Sequence, residues 1–228
     1  GAAVLGVLGA KSLHLPGVGG GAMFLAAMTL GALFGARIGG GGSSDDELTL
    51  GYDALRLRAG RQTTVVALRD IIAVRSAPEA ILVDVRDAPT LTIPRHDESL
   101  DAYAIRSAIE RGAAEARAVN PAGVALRREG RSLEAWREAL RAKVMGAADF
   151  REQAVDRGDL EAVLVHPGAS AEERIGAALA LRELDAAGVT RVRAAAECAV
   201  TPALRDALRT VADGVGDEGA VRAATRAA

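Results

Sequence analysis

The pattern of apolar and polar positions divides the chain into three parts. From Ser12 to Ala36 there is no Lys, Arg, Asp or Glu, and the apolar centre of that run extends from Val18 to Ala36. Nineteen residues at 1.5 Å each make a helix about 28 Å long, against a hydrocarbon thickness of about 30 Å. The run therefore predicts a membrane-spanning helix. The uncharged residues before it, and the short connection around Lys11, His14 and Pro16, complete a transmembrane helical hairpin over 1–38. Because the sequence opens on Gly rather than Met, the first helix of that hairpin is expected to be truncated. Gly31 and Gly35 form a small-xxx-small pair that suits helix–helix self-association.

A Gly/Ser linker over 39–45 leads into segments of period two, which predict strands. These cover 48–52, 54–58, 62–68, 71–74, 81–86 and 90–93, joined by turns at Gly51-Tyr-Asp53, Ala59-Gly-Arg61, Pro78-Glu79 and Asp87-Ala-Pro89. A 3.6-residue period then takes over between Leu100 and Arg117, with Leu100, Ala104, Ile105, Ala108 and Ile109 on one stripe. Strands closed by one helix make an α+β unit over 46–117.

The remainder, 130–228, predicts an all-α module. Ser132 caps a helix whose stripe is Leu133, Trp136, Leu140 and Val144. Pro167-Gly168 stops a short helix, and Ser170-Ala-Glu-Glu173 is a capping box opening the next. Gly188 reads as the end of that helix, and Thr201-Pro202 as the N-cap and first residue of another.

Composition and charge narrow the function classes. The chain holds 28 Lys and Arg against 30 Asp and Glu, for a net charge of −2, which argues against a nucleic-acid protein, where a basic face or stripe is expected. Residues 45–117 carry 10 Arg against 13 acids. The lone Cys198 excludes an internal disulfide and fits a reducing compartment, so the soluble modules are expected in the cytoplasm behind the membrane anchor.

Candidate chemistry is sparse. The Gly6-to-Ser12 stretch lacks the glycines of a phosphate loop, since Leu5 and Ala10 stand where they are needed. His14, His96 and His166 fall in three separate segments with no ligand spacing, and read as exposed loop residues. Cys198 reads as a small buried residue on an Ala-rich helix, with nothing nearby to lower its pKa. No catalytic residue, cofactor or metal ligand is expected.

The middle segments, Leu50-Gly-Tyr-Asp-Ala-Leu-Arg-Leu57, Val66-Ala-Leu-Arg-Asp-Ile-Ile-Ala-Val74 and the run from Ala80 to Pro94, resemble the bacterial pleckstrin-homology-like (PH-like) domains over about 46–115. That resemblance implies a sheet unit placed after membrane helices. In the resembling family an aromatic residue often precedes the acidic position of the second segment, where this chain has Leu68. The Ala177-Ala-Leu-Ala-Leu181 pattern is similar to helices of HEAT-type repeats.

A phosphoinositide site would need bases in the first hairpin loop, and Gly51-Tyr-Asp53 has an acid instead. Arg56, Arg58 and Arg61 fit a solvated strand face. The sequence thus predicts a membrane-anchored, non-enzymatic binding or scaffold protein. Its protein contacts are expected through Arg182, Arg191, Arg193, Arg205 and Arg209 on the helical module. The alternative is a regulatory or catalytic subunit whose active residues lie upstream of Gly1 or on a partner chain.

Overall fold

The computed structural model describes residues 47–94, 102–118, 120–145 and 155–227. Among them, the alternating segments form β1 (Glu47–Leu50), β2 (Ala54–Ala59), β3 (Gln62–Ala67), β4 (Ile71–Ala77), β5 (Ala80–Val85) and β6 (Leu91–Pro94). The expected meander is divided: β1-β2-β3 and β4-β5-β6 are separate three-stranded antiparallel sheets. A 3-10 turn at Leu68–Asp70 makes the break, and β4 then opens with a register irregularity between Ile71 and Ala73. Gly60, at φ 56°, supplies the left-handed conformation for the two-residue turn between Ala59 and Gln62.

Both sheets and helix α1 (Ala102–Ala116) share one core. Leu48, Leu55, Leu57, Val66 and Leu68 meet Ile71, Ile81, Val83 and Ile93, and the α1 stripe Ile105, Ile109, Ala113 and Ala116 closes it. Ala104, expected on that stripe, is exposed. The observed fold class is therefore α+β, with two small sheets followed by helices.

After α1 the chain makes a one-turn helix, α2 (Pro121–Val124), capped by Asn120. It continues through α3 (Leu133–Val144), α4 (Arg157–Val165), α5 (Ala171–Leu184), α6 (Ala186–Cys198), α7 (Pro202–Asp213) and α8 (Glu218–Ala227). The Ser132 cap and the Ser170/Glu173 capping box both form. Trp136 is fully buried, and its Nε1–H donates to the Leu126 carbonyl at 3.0 Å.

Helix α5 is buried along almost its whole length, because α3, α4, α6, α7 and α8 all pack on it. A solenoid repeat touches only its neighbours, so this hub is a different arrangement from a HEAT-type stack. Gly188 does not end α5. Asp185 is the junction, receiving the Gly188 N–H at 2.8 Å, and Gly188 lies in the first turn of α6 where a Cβ would strike the Leu181 carbonyl.

The membrane expectations require correction. Among the described residues, no helix is long and apolar enough to cross a membrane. The hairpin assigned to 1–38, with its span Val18 to Ala36 and the Gly31/Gly35 pair, lies outside the described residues, as does the 39–45 linker. The transmembrane part of the expected architecture, the membrane localisation and the cytoplasmic orientation built on it are set aside. The signal was an uncharged, apolar run of the right length. The run also holds Gly19, Gly20, Gly21, Gly31 and Gly35, and each Gly costs a helix about 1 kcal/mol relative to Ala.

Candidate functional site

The first hairpin, between β1 and β2, is a point where the sheet unit meets the helical module; the end of α1 also approaches that module, at Gly168. Its register pairs Leu50 with Leu55, and Gly51 N–H donates to the Ala54 carbonyl at 3.0 Å, which leaves Tyr52 and Asp53 at the tip. The Asp53 carboxylate is buried. One oxygen accepts from Val200 N–H and the other from Thr201 N–H, each at 2.8 Å.

These two amides stand immediately before α7, at the N-cap and at the residue preceding it, beside opening donors that have no partner within their own helix. Thr201 stands at the N-cap position and Pro202 follows it, as the sequence suggests, but the Thr201 side chain makes no capping bond. An acid 147 residues earlier holds the chain at the helix entrance instead, where the helix dipole also favours a negative charge.

Tyr52 completes the joint. Its hydroxyl donates to the Ala195 carbonyl on α6 at 3.1 Å, and the Arg174 guanidinium of α5 lies 4.9 Å from its ring centroid. Arg174 is buried and donates from Nη2 to the carbonyls of His166 (2.7 Å) and Pro167 (3.1 Å), while its Nε has no hydrogen-bond partner among the described residues. Burial foremost pulls Arg174 below its ordinary pKa, with Tyr52 and Asp53 pushing it back. A guanidinium remains charged in a protein under such a balance. Burial likewise holds the Tyr52 phenol well above its usual range, so it acts as a neutral donor.

Gly51 is required by the closeness of the fit. A Cβ there would lie 2.6 Å from the Cys198 carbonyl oxygen and 2.7 Å from Val200 Cγ2. Arg205, from the first turn of α7, donates Nε and Nη2 to the Ala199 carbonyl at 3.1 and 2.6 Å and so closes the end of α6. The joint is a set of matched donors, acceptors and one stacked cation. It holds no nucleophile beside a base, and among the described residues no group of three or more His, Cys, Asp or Glu could hold a metal ion.

No family model matches the chain, and neither does any curated protein or solved structure. The function has to be read from the geometry alone.

The five arginines expected to meet a partner do not share one environment. Arg193 and Arg209 are exposed, paired with Asp213 at 3.3 Å and Glu197 at 2.8 Å. Arg191 is half-buried and reaches Glu161 at 3.8 Å. Arg182 lies against Gly214, the left-handed residue that ends α7, and Arg205 belongs to the joint just described.

Cys198 is exposed rather than buried, because it falls on the outer side of the last turn of α6. Desolvation, then the Glu197 charge, holds its thiol above the ordinary value, opposite to an activated nucleophile. His166 is half-buried rather than exposed. Its Nδ1 accepts from Gly168 N–H at 3.0 Å, and desolvation followed by Arg174 lowers its pKa. His14 and His96 lie outside the described residues.

Tyr52, Asp53 and Arg174 are the residues that the sequence pattern did not single out for this joint. The available signal was local: a buried-type aromatic and an acid together at a hairpin tip, where a plain turn needs neither.

Proposed function

We propose that this chain is a non-enzymatic binding or scaffold protein acting through protein contacts, with a PH-like sheet module over 46–117 held in fixed orientation on the helical module. The observation that carries the reading is the occupation of the first hairpin tip. In a fold of this type that loop is a natural place to receive a phosphorylated head group. Here its carboxylate is spent on the α7 N-terminus and its aromatic ring on Arg174. An acid in that place would also repel a phosphate.

The helical module offers the surface for contacts. Arg193 and Arg209 project from neighbouring helices in exposed ion pairs, and exposed pairs of this kind are worth only about 0–1 kcal/mol, so a partner can exchange them at small cost.

The test is capture by the full chain from a lysate of its own source cells, compared with the Arg193→Glu, Arg209→Glu double variant. The variant is expected to fold normally and to lose the captured protein. Equal capture by both would remove this face from the account. Sedimentation of the full chain with anionic vesicles at about 0.15 M salt, with no captured protein, would replace a protein ligand with a lipid one.

A further inference from the structure

Four strand edges terminate the two sheets, and three of them are guarded. β1 begins with Glu47, which is engaged by Arg56. β4 carries the irregularity at Ile71/Ala73 and Arg75 in a two-bond pair with Asp84. β6 is four residues long and ends in Pro94. Charges, prolines, bulges and brevity are the devices that keep edges from pairing with other chains. β3, Gln-Thr-Thr-Val-Val-Ala, has none of them: six residues in unbroken register, uncharged and rich in β-branched side chains.

The register also says which main-chain groups face outward. Ala59 and Gln62 flank the two-residue turn, and Leu68 N–H donates to the Asp53 carbonyl at 3.2 Å. In an antiparallel pair, residues that exchange hydrogen bonds alternate with residues that do not. Gln62, Thr64, Val66 and Leu68 therefore bond towards β2. Thr63 and Val65 direct both N–H and C=O away from the sheet, while Ala67 already caps the 3-10 turn. Thr63 and Val65 are exposed, and among the described residues no strand pairs with this edge.

Charge decides what fits. Arg61 lies in the turn before the strand and Arg69 in the 3-10 turn after it, one at each end; both are exposed, and neither makes an ion pair with a described residue. A second copy paired antiparallel about Val65 would bring Arg61 of each chain against Arg69 of the other. An extended segment with a β-branched, uncharged centre and an acid at each end would meet both cations and the bare edge together.

We propose that the outer edge of β3 is a docking site for such an acid-flanked extended segment of a partner protein, which adds as a fourth, antiparallel strand. The proposal rests on the reading of the chain as a protein-binding module and gives that reading a second surface with a defined ligand chemistry.

The probe is a labelled, end-blocked peptide, Glu-Thr-Val-Thr-Val-Thr-Val-Thr-Glu, titrated into the full chain by fluorescence anisotropy. Saturable binding is expected, weakened about tenfold or more by Val65→Pro, by Arg61→Glu, and by replacing both peptide glutamates with lysine. Val65→Pro removes an outward donor without touching a bond to β2. Should it unfold the sheet, Val65→Lys tests the same edge at an exposed side chain.

Absence of binding, indifference to the end charges, or full binding by an edge variant that remains folded would each overturn the proposal. A dimer dispersed by Val65→Lys, with no peptide bound, would do so in favour of self-pairing. Loss of the edge site alone leaves the Arg193/Arg209 capture result standing, so the two readings fail separately.

Discussion

The sheet unit and the helical module fill their cores differently: the helical module adds a run of alanines to large buried side chains such as Trp136, Ile175, Leu181 and Leu208. The sheet unit buries large side chains, with Leu55, Ile71, Ile81 and Ile109 almost fully enclosed. The helical module puts Ala177, Ala178 and Ala180 on its central helix, against Ala195, Ala196, Ala207 and Ala212 from its neighbours. Small residues bring helices close but bury little area each, at about 25 cal/mol per Å². They also leave few shape features to fix the register of one helix on another.

Directional bonds at helix ends add to what the large side chains fix. Ser132, Asp156, the Ser170/Glu173 box and Asp185 each cap a helix from within the module. At α7 the acid that holds the helix entrance comes from the sheet unit, through Asp53. The helical module thus has one of its helix entrances held by the other module, and this fastens the two together.

The largest expected effects break the comparison at the cores. Leu55→Ala removes a fully buried side chain and should cost about 2–5 kcal/mol. Ala178→Leu, a change in the opposite direction on the fully buried face of α5, should cost about 1–3 kcal/mol by overpacking. Urea titration checks both, and tolerance of Ala178→Leu would show that the helices are not closely packed.

At the joint, Asp53→Ala strips two amides of their shared acceptor and should cost about 2 kcal/mol. Asp53→Asn should cost less, because its side-chain oxygen can still accept one of the two bonds.

Smaller still is Tyr52→Phe, at about 1 kcal/mol for one hydrogen bond. Its signature is alkaline. A phenol held above its ordinary pKa in the folded state gives stability that is present below about pH 10 and lost as pH rises further. Tyr52→Phe should flatten that limb of the pH–stability curve.

The smallest effect belongs to His166, whose folded-state pKa is lowered. Its contribution is full above about pH 6.5 and lost as pH falls through the folded value. His166→Gln should reduce the acid sensitivity between pH 7 and pH 5, as read by thermal melts at each pH.

Much of this fold was legible from local pattern. Period two placed the strands to within a few residues, and the capping box at Ser170/Glu173 and the cap at Ser132 were visible because each is closed within three residues. The division into two sheets was not, because Leu68-Arg-Asp70 sits between two apolar runs and carries no Gly or Pro. Gly188 was misread because a glycine demanded by close packing against Leu181 looks in sequence like one that ends a helix. The membrane hairpin rests on an uncharged apolar run whose length matches a bilayer, a pattern that carries no tertiary information.

The joint itself was illegible for a different reason. Asp53 could be seen as an acid in a turn, but its partners Val200 and Thr201 contribute only main-chain N–H groups, which every residue but proline possesses. No residue type at the far end marks the contact. Likewise, Arg205 looked like a surface arginine, since a carbonyl acceptor leaves no trace in sequence.

The central claim is that the Gly51–Tyr52–Asp53 tip makes the two modules unfold as one. Hydrogen exchange by mass spectrometry across a urea series, following peptides from β2 and α5 with Trp136 fluorescence in parallel, tests it most directly. The account predicts that both peptides lose protection at one urea concentration in the unaltered chain, and that Asp53→Ala separates them into two transitions. Two transitions in the unaltered chain, or a single one preserved in a destabilised Asp53→Ala variant, would contradict it.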